Sequence, residues 1–160
     1  MPKRRSLKPA GAIVAFVALA STTTLARAAV ICEIAAPSID FGTFDGEAVE
    51  VEETIAVTCT GSGNNQDVTV DVSQGSSGNF SIRRMVGPQS QALDYNLYTT
   101  EAHAVVWGNG TGGTFHFFDM LDFRTEHTHV IELRVYGLLR SQPVPEGGRY
   151  IDTITVTVTS

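Results

Sequence analysis

Four histidines, two cysteines and a glycine-rich run are the residues whose types could do chemistry. His127 and His129 stand two apart, which puts both rings on one side of a strand and suits zinc, while His103 and His116 are the other imidazoles. A zinc site needs a third and a fourth ligand, and its histidines need outer hydrogen-bond partners. The sequence holds no HExxH, no CxxC and no Asp-rich calcium loop, so surface histidines at a strand entrance are the expectation. Members of a Ser-His-Asp triad are distant in sequence, but the Gly-x-Ser-x-Gly elbow is missing and belongs to α/β folds. Seventeen scattered acids mark no particular pair for glycoside hydrolysis. The run Gly108-Asn109-Gly110-Thr111-Gly112-Gly113 lacks the lysine and following helix of a phosphate cradle and reads as a mobile loop. Trp107, Tyr95, Tyr98 and Tyr136 suit either a sugar-binding face or a core. The residues therefore point to no catalytic, metal or cofactor site.

The elements that must carry these residues are strands. From Thr153 onward threonine alternates with Ile154, Val156 and Val158, a period of two in β-branched residues. One face must pack on a core while the Thr face meets water, and no residues follow to form another strand. The expectation is a strand completed by an earlier one or by a neighbouring molecule. Ile39 to Phe44 reads as a short strand ending at Asp45-Gly46. Val49 to Thr60 alternates with a switch of parity near Glu52-Glu53, read as a bulge or two separate short strands. Val68, Val70 and Val72 give one face of a strand over 67–73. Phe80 to Met85 and Leu93 to Thr99 are two more, joined by a loop with Pro88. Thr114 to Phe118 reads as a short aromatic strand. Thr128 to Tyr136 is another, with Ile131, Leu133 and Val135 inward, followed by a loop over 137–148. Outside the N-terminus no window has helical periodicity, so the fold class is all-β, a sandwich or barrel.

Residues 1–28 read as a secretory leader: Lys3, Arg4, Arg5 and Lys8, an apolar run from Ala10 to Ala20, then Ala26-Arg27-Ala28 as a cleavage pattern. The run is about half the roughly 20 residues that span a bilayer. Ala18-Leu19-Ala20 is a second cleavage pattern. Removal of 1–28 leaves one domain, 29–160, with six arginines against all seventeen acids, a net charge of −11. That balance argues against nucleic acid and anionic membrane surfaces. Cys32 and Cys59, an even pair in an oxidising compartment, are expected to form one disulfide; a metal pair or a nucleophilic thiol lacks nearby partners.

The sequence also resembles the spore coat protein U domain family, which includes archaic chaperone–usher pilus subunits. The matching pieces are Cys32, Ile39-Asp40-Phe41-Gly42-Thr43-Phe44-Asp45, Val57-Thr58-Cys59-Thr60, Ser73-Gln74-Gly75-Ser76-Ser77-Gly78 and Arg84-Met85. Further along come Leu93-Asp94-Tyr95-Asn96-Leu97-Tyr98-Thr99, Trp107-Gly108-Asn109-Gly110-Thr111, Val135-Tyr136-Gly137, Gln142-Pro143 and Gly148-Arg149-Tyr150-Ile151-Asp152-Thr153-Ile154-Thr155-Val156.

The resemblance implies an immunoglobulin-like β-sandwich lacking its last strand. A periplasmic chaperone would complete it first and the N-terminal extension of a neighbouring pilus subunit later, at an outer-membrane usher. Ile154, Val156 and Val158 would then wall the acceptor groove of a non-enzymatic, surface-displayed adhesion or fimbrial subunit without a cofactor. One departure stands out. Cleavage after Ala28 leaves Ala29-Val30-Ile31 before Cys32, too short for a donor segment, and cleavage after Ala20 leaves a poorly patterned one containing Arg27. That implies an accessory or tip-proximal subunit that accepts a strand, or a coat protein that does not polymerise this way. The alternatives are a secreted coat or matrix protein with a self-sufficient sandwich, and a secreted lectin or hydrolase.

Overall fold

A computed structural model describes residues 30–160; the leader expectation over 1–28 and both cleavage patterns lie outside them. Eight strands form: β1 (Ile31–Ala35), β2 (Val49–Thr60), β3 (Asn65–Val72), β4 (Arg83–Val86), β5 (Ala92–Tyr98), β6 (Phe117–Asp122), β7 (Thr128–Leu139) and β8 (Val156–Thr159). They make two antiparallel sheets, β1-β2-β7-β5-β4 and β6-β3-β8, packed as a sandwich. The helical content of the described residues is two short 3-10 turns, Gly75–Ser77 and Pro88–Ser90.

The core follows from the period-two patterns. Val68, Val70 and Val72 of β3 pack in one core with Ile55, Val57, Leu93, Leu97, Leu133 and Val135 of the larger sheet, together with Trp107 and Phe123. Tyr95, Tyr98 and Trp107 are buried, so three of the four aromatics weighed for a sugar face are core residues. Trp107 also ties the sheets together. Its amide donates to the Leu97 carbonyl of β5 (2.9 Å), its indole to the Val70 carbonyl of β3 (3.2 Å), and the next carbonyl, Gly108, accepts from Val72 (3.0 Å).

Four local expectations are corrected. Residues 39–44 form no strand: Gly42 adopts φ +70°, and the Asp40 carboxylate accepts from its amide at 2.8 Å, so the chain turns. Phe41 and Phe44 still pack on the core from this loop. β2 is one unbroken strand paired residue by residue with β7. Its odd positions 49 to 59 share one face, and Glu53 merely occupies an inward position, so the parity never changes. The aromatic strand starts later, at Phe117, because Thr114 to His116 are taken up in a turn at Thr111 and an isolated bridge from Phe115 to Trp107. Finally, β7 continues through Gly137 to Leu139. A Cβ at Gly137 would lie 2.8 Å from Val51 Cγ2 and 3.0 Å from Phe41 Cζ, so glycine here permits close packing rather than a turn.

Candidate functional site

The histidines disperse. His103 packs edge-on against Tyr98, His116 meets Asp71 at 3.1 Å, and His129 packs on Phe123 with Nε2 3.0 Å from the Asp122 carbonyl. His127 is exposed. Among the described residues no three metal-binding side chains converge, and no helix is long and apolar enough to cross a membrane.

The unusual feature lies at one side of the sandwich, where β1 and β8 come together. Each is an edge strand of a different sheet: β1 pairs with β2 alone and β8 with β3 alone. Among the described residues a side-chain link joins their flanks, the Ser160 hydroxyl to the Val30 carbonyl at 3.4 Å. On β8, Val156 and Val158 lie opposite the fully buried Val72 and Val70, with Ile154 on the same parity just before the strand. All three pack on the core yet remain half-buried, while Thr153, Thr155, Thr157 and Thr159 are exposed. On β1, Cys32 and Ile34 share the inward parity with Val30 just before the strand, and Ile34 is nonetheless 38% exposed. Two short apolar rows thus face the interior without closing it. Residues 154–159 span about 20 Å at the rise of an extended chain.

The two walls are held differently. Cys32 and Cys59 are directly opposed across β1 and β2 and are disulfide-bonded, which fastens the five-residue β1 to the longest ladder in the molecule. The β8 side depends on polar contacts upstream. Ile151 exchanges two backbone bonds with Val86 of β4, at 2.8 and 3.1 Å, and four residues later Thr155 bonds to Ser73 at the end of β3. The chain therefore changes sheets between Ile151 and Thr155. Asp152 sits at the crossing, with Oδ2 accepting from the Tyr95 hydroxyl and Oδ1 from the Ser76 amide, each at 2.8 Å.

Arg83 lies beneath this crossing, fully buried. It donates through Nε and Nη2 to the Ser73 carbonyl (2.9 and 2.7 Å), through Nη2 to the Trp107 carbonyl (2.7 Å) and through Nη1 to Asn96 Oδ1 (2.6 Å). Burial pulls its pKa down, opposed by the nearby Tyr95 and Asp152. Burial, and then the hydrogen bond to Asp152, hold the Tyr95 hydroxyl far above the ordinary phenol range, so it stays a donor. Sequence reasoning passed over Arg83, whose place follows from a strand register that sets it opposite Tyr95. Gln142 does a related job: its side chain accepts from the Asp94 amide and donates to the Asp94 carbonyl, both at 2.9 Å, satisfying β5 where β7 has ended. A separate recess of about 250 Å³ is lined by Thr99, Phe115, Phe117, Glu132, Arg134 and Tyr136, where β7 runs on past the end of β5.

A sandwich of two antiparallel sheets with an open seam between edge strands is the class this geometry defines. The chain belongs to the Spore Coat Protein U domain family, whose model matches residues 17–157. Membership makes it a structural domain and not an enzyme. No curated protein matches the sequence. Among solved structures it is similar to a chain in the crystal structure of the CsuC–CsuE chaperone–tip adhesion subunit pre-assembly complex from archaic chaperone–usher Csu pili of Acinetobacter baumannii. The TM-score is 0.54 at 23% identity, over 81% of this chain and 39% of that one. The protein thus spans well under half the length of that neighbour, and the likeness is one of fold.

Proposed function

We propose that the protein is a pilus-type subunit, exported by a leader over residues 1–28 and displayed at the cell surface, whose open seam accepts a strand from another polypeptide. The observation that carries this is the pair of half-open apolar rows, Val30/Cys32/Ile34 and Ile154/Val156/Val158, on two free sheet edges. An inserted strand would take backbone bonds from β8 and seat alternate side chains between the rows. Three aliphatic side chains at about 1.5–3 kcal/mol each would contribute roughly 5–9 kcal/mol before ordering costs. The chaperone–subunit complex among the structural neighbours supports a periplasmic chaperone as the first donor and a neighbouring subunit as the second, with assembly at an outer-membrane usher. The few residues between the Ala28 cleavage pattern and Cys32 favour an accessory or tip-proximal subunit that receives a strand and does not supply one.

The test is completion of the seam. A synthetic seven-residue peptide of alternating valine and threonine should bind the purified protein and raise its Tm in proportion to the logarithm of peptide concentration. A protein that is monomeric, fully stable and indifferent to such peptides would sink the reading. Mass spectrometry of the mature N-terminus decides the donor question: a start at Ala29 supports a receiving subunit, and a start at Ser21 opposes it. The family's name favours one second reading, a coat or matrix protein with a self-sufficient sandwich. Chaperone and usher genes beside the coding sequence would count against it.

A further inference from the structure

Resting on the strand-acceptor reading, we infer that Asp152 is the positioning residue of the acceptor wall, the latch that fixes where β8 begins and holds it ready before a donor arrives. Downstream of Thr155, β8 is held by β3 on one edge, and its other edge is free among the described residues. Its placement is therefore set from the Asp152 end. Three donors from three parts of the fold converge on that carboxylate. They are the Tyr95 hydroxyl from β5, the Ser76 amide from the 3-10 turn after β3, and the Thr153 amide of the crossing segment, each at 2.8 Å. The 3-10 turn is itself tied to β4, because the Ser76 hydroxyl donates to the Arg84 carbonyl at 2.9 Å.

The packing leaves little slack. A Cβ at Gly75 would overlap the Asp152 carboxylate and stand 2.9 Å from Ile154 Cδ1, the first side chain of the wall, and Gly75 sits at φ +67°. One carboxylate thus joins both sheets at the point where the chain passes between them, two residues before Ile154. A carboxylate holding three donors, one from a buried hydroxyl, keeps its geometry through charge-assisted bonds. A strand fixed at one end and unpaired along one edge is suited to accept a partner without first having to be ordered.

The experiment uses the full-length chain expressed with its leader and recovered from the periplasm, in four forms: wild type, Asp152→Ala, Asp152→Asn and Tyr95→Phe. Amide exchange over residues 153–160 is compared with exchange in β2 and β7, and affinity for the alternating valine–threonine peptide is measured alongside. Asp152→Ala should speed exchange at 155–159 by about 10- to 100-fold while leaving β2 and β7 unchanged, and should weaken the peptide about tenfold or more. Asp152→Asn, which keeps an oxygen for the Ser76 and Thr153 amides, should restore most of the protection. Tyr95→Phe removes a single hydroxyl and should give a smaller effect on the same amides, which keeps the test decisive if Asp152→Ala fails to fold. Unchanged exchange at 155–159 in both Asp152→Ala and Tyr95→Phe overturns the latch, as does a loss of protection spread evenly over β2 and β7. If the latch effects appear but the wild-type protein ignores the peptide, the latch stands and the strand-acceptor reading falls.

Discussion

Exchanging Val158 for threonine separates a groove wall from an ordinary surface strand. Val158 lies opposite the fully buried Val70 and is itself half-buried, with the seam in front of it. Threonine has nearly the same shape and replaces one methyl group with a hydroxyl. While the seam is open, water still reaches that hydroxyl. The loss is then a fraction of the ~0.8 kcal/mol per buried methylene, so the free protein should lose less than about 1 kcal/mol. Once a strand covers the seam, the hydroxyl is buried without a dedicated partner, which costs about 1–3 kcal/mol. The donor affinity should therefore fall about 5- to 150-fold while stability of the free chain barely moves. Thr157→Val on the exposed face is the control and should change both quantities by less than about 0.5 kcal/mol. Urea denaturation of the free protein and calorimetric titration with the alternating valine–threonine peptide give the two numbers. Equal affinity for wild type and Val158→Thr, or an equal loss from Thr157→Val, would refute the inward-wall argument.

Replacing Cys59 with serine, or reducing the protein, should lower unfolding free energy by about 3–4 kcal/mol. The basis is the 27-residue separation in the chain-entropy account, and denaturant midpoints with and without reductant check it. Arg83→Lys should cost about 3 kcal/mol or more and lower the periplasmic yield, because a single ammonium cannot serve the Ser73 and Trp107 carbonyls and Asn96 together. Gly137→Val should destabilise by about 1–3 kcal/mol in thermal unfolding, through overlap with Val51 and Phe41. Asp122 is held at about 2 by hydrogen bonds from the Arg124 side chain and backbone. Its folded-state pKa is depressed, so its stabilising effect is present above about pH 4 and is lost as pH falls through 2. Carbonyl-detected NMR titration of Arg124→Ala should show the Asp122 midpoint rising toward the ordinary ~3.9.

Alternation in single stretches determined much of this protein. Val68/Val70/Val72, Leu93/Tyr95/Leu97, Leu133/Val135 and Ile154/Val156/Val158 each declare an inward face, because a strand's side chains alternate by geometry wherever it pairs. The same alternation made the chain all-β. It failed where the local pattern was silent about partners. Residues 39–44 have strand-like composition, but the Gly42 turn diverts them. Gly137 looked like a terminator and is instead the contact point for Phe41 and Val51. Tertiary structure alone decided that β1 and β8 end up on facing edges, since edge status depends on which strands fail to pair. It alone brought Arg83, Tyr95, Asn96, Ser73 and Asp152 together from separations of up to 79 residues along the chain. A buried guanidinium and a carboxylate holding three donors leave no periodicity to read; they exist only where several strands meet. The Ile154/Val156/Val158 row is therefore written in the sequence as a row of side chains, and its half-buried state comes from the sheets around it.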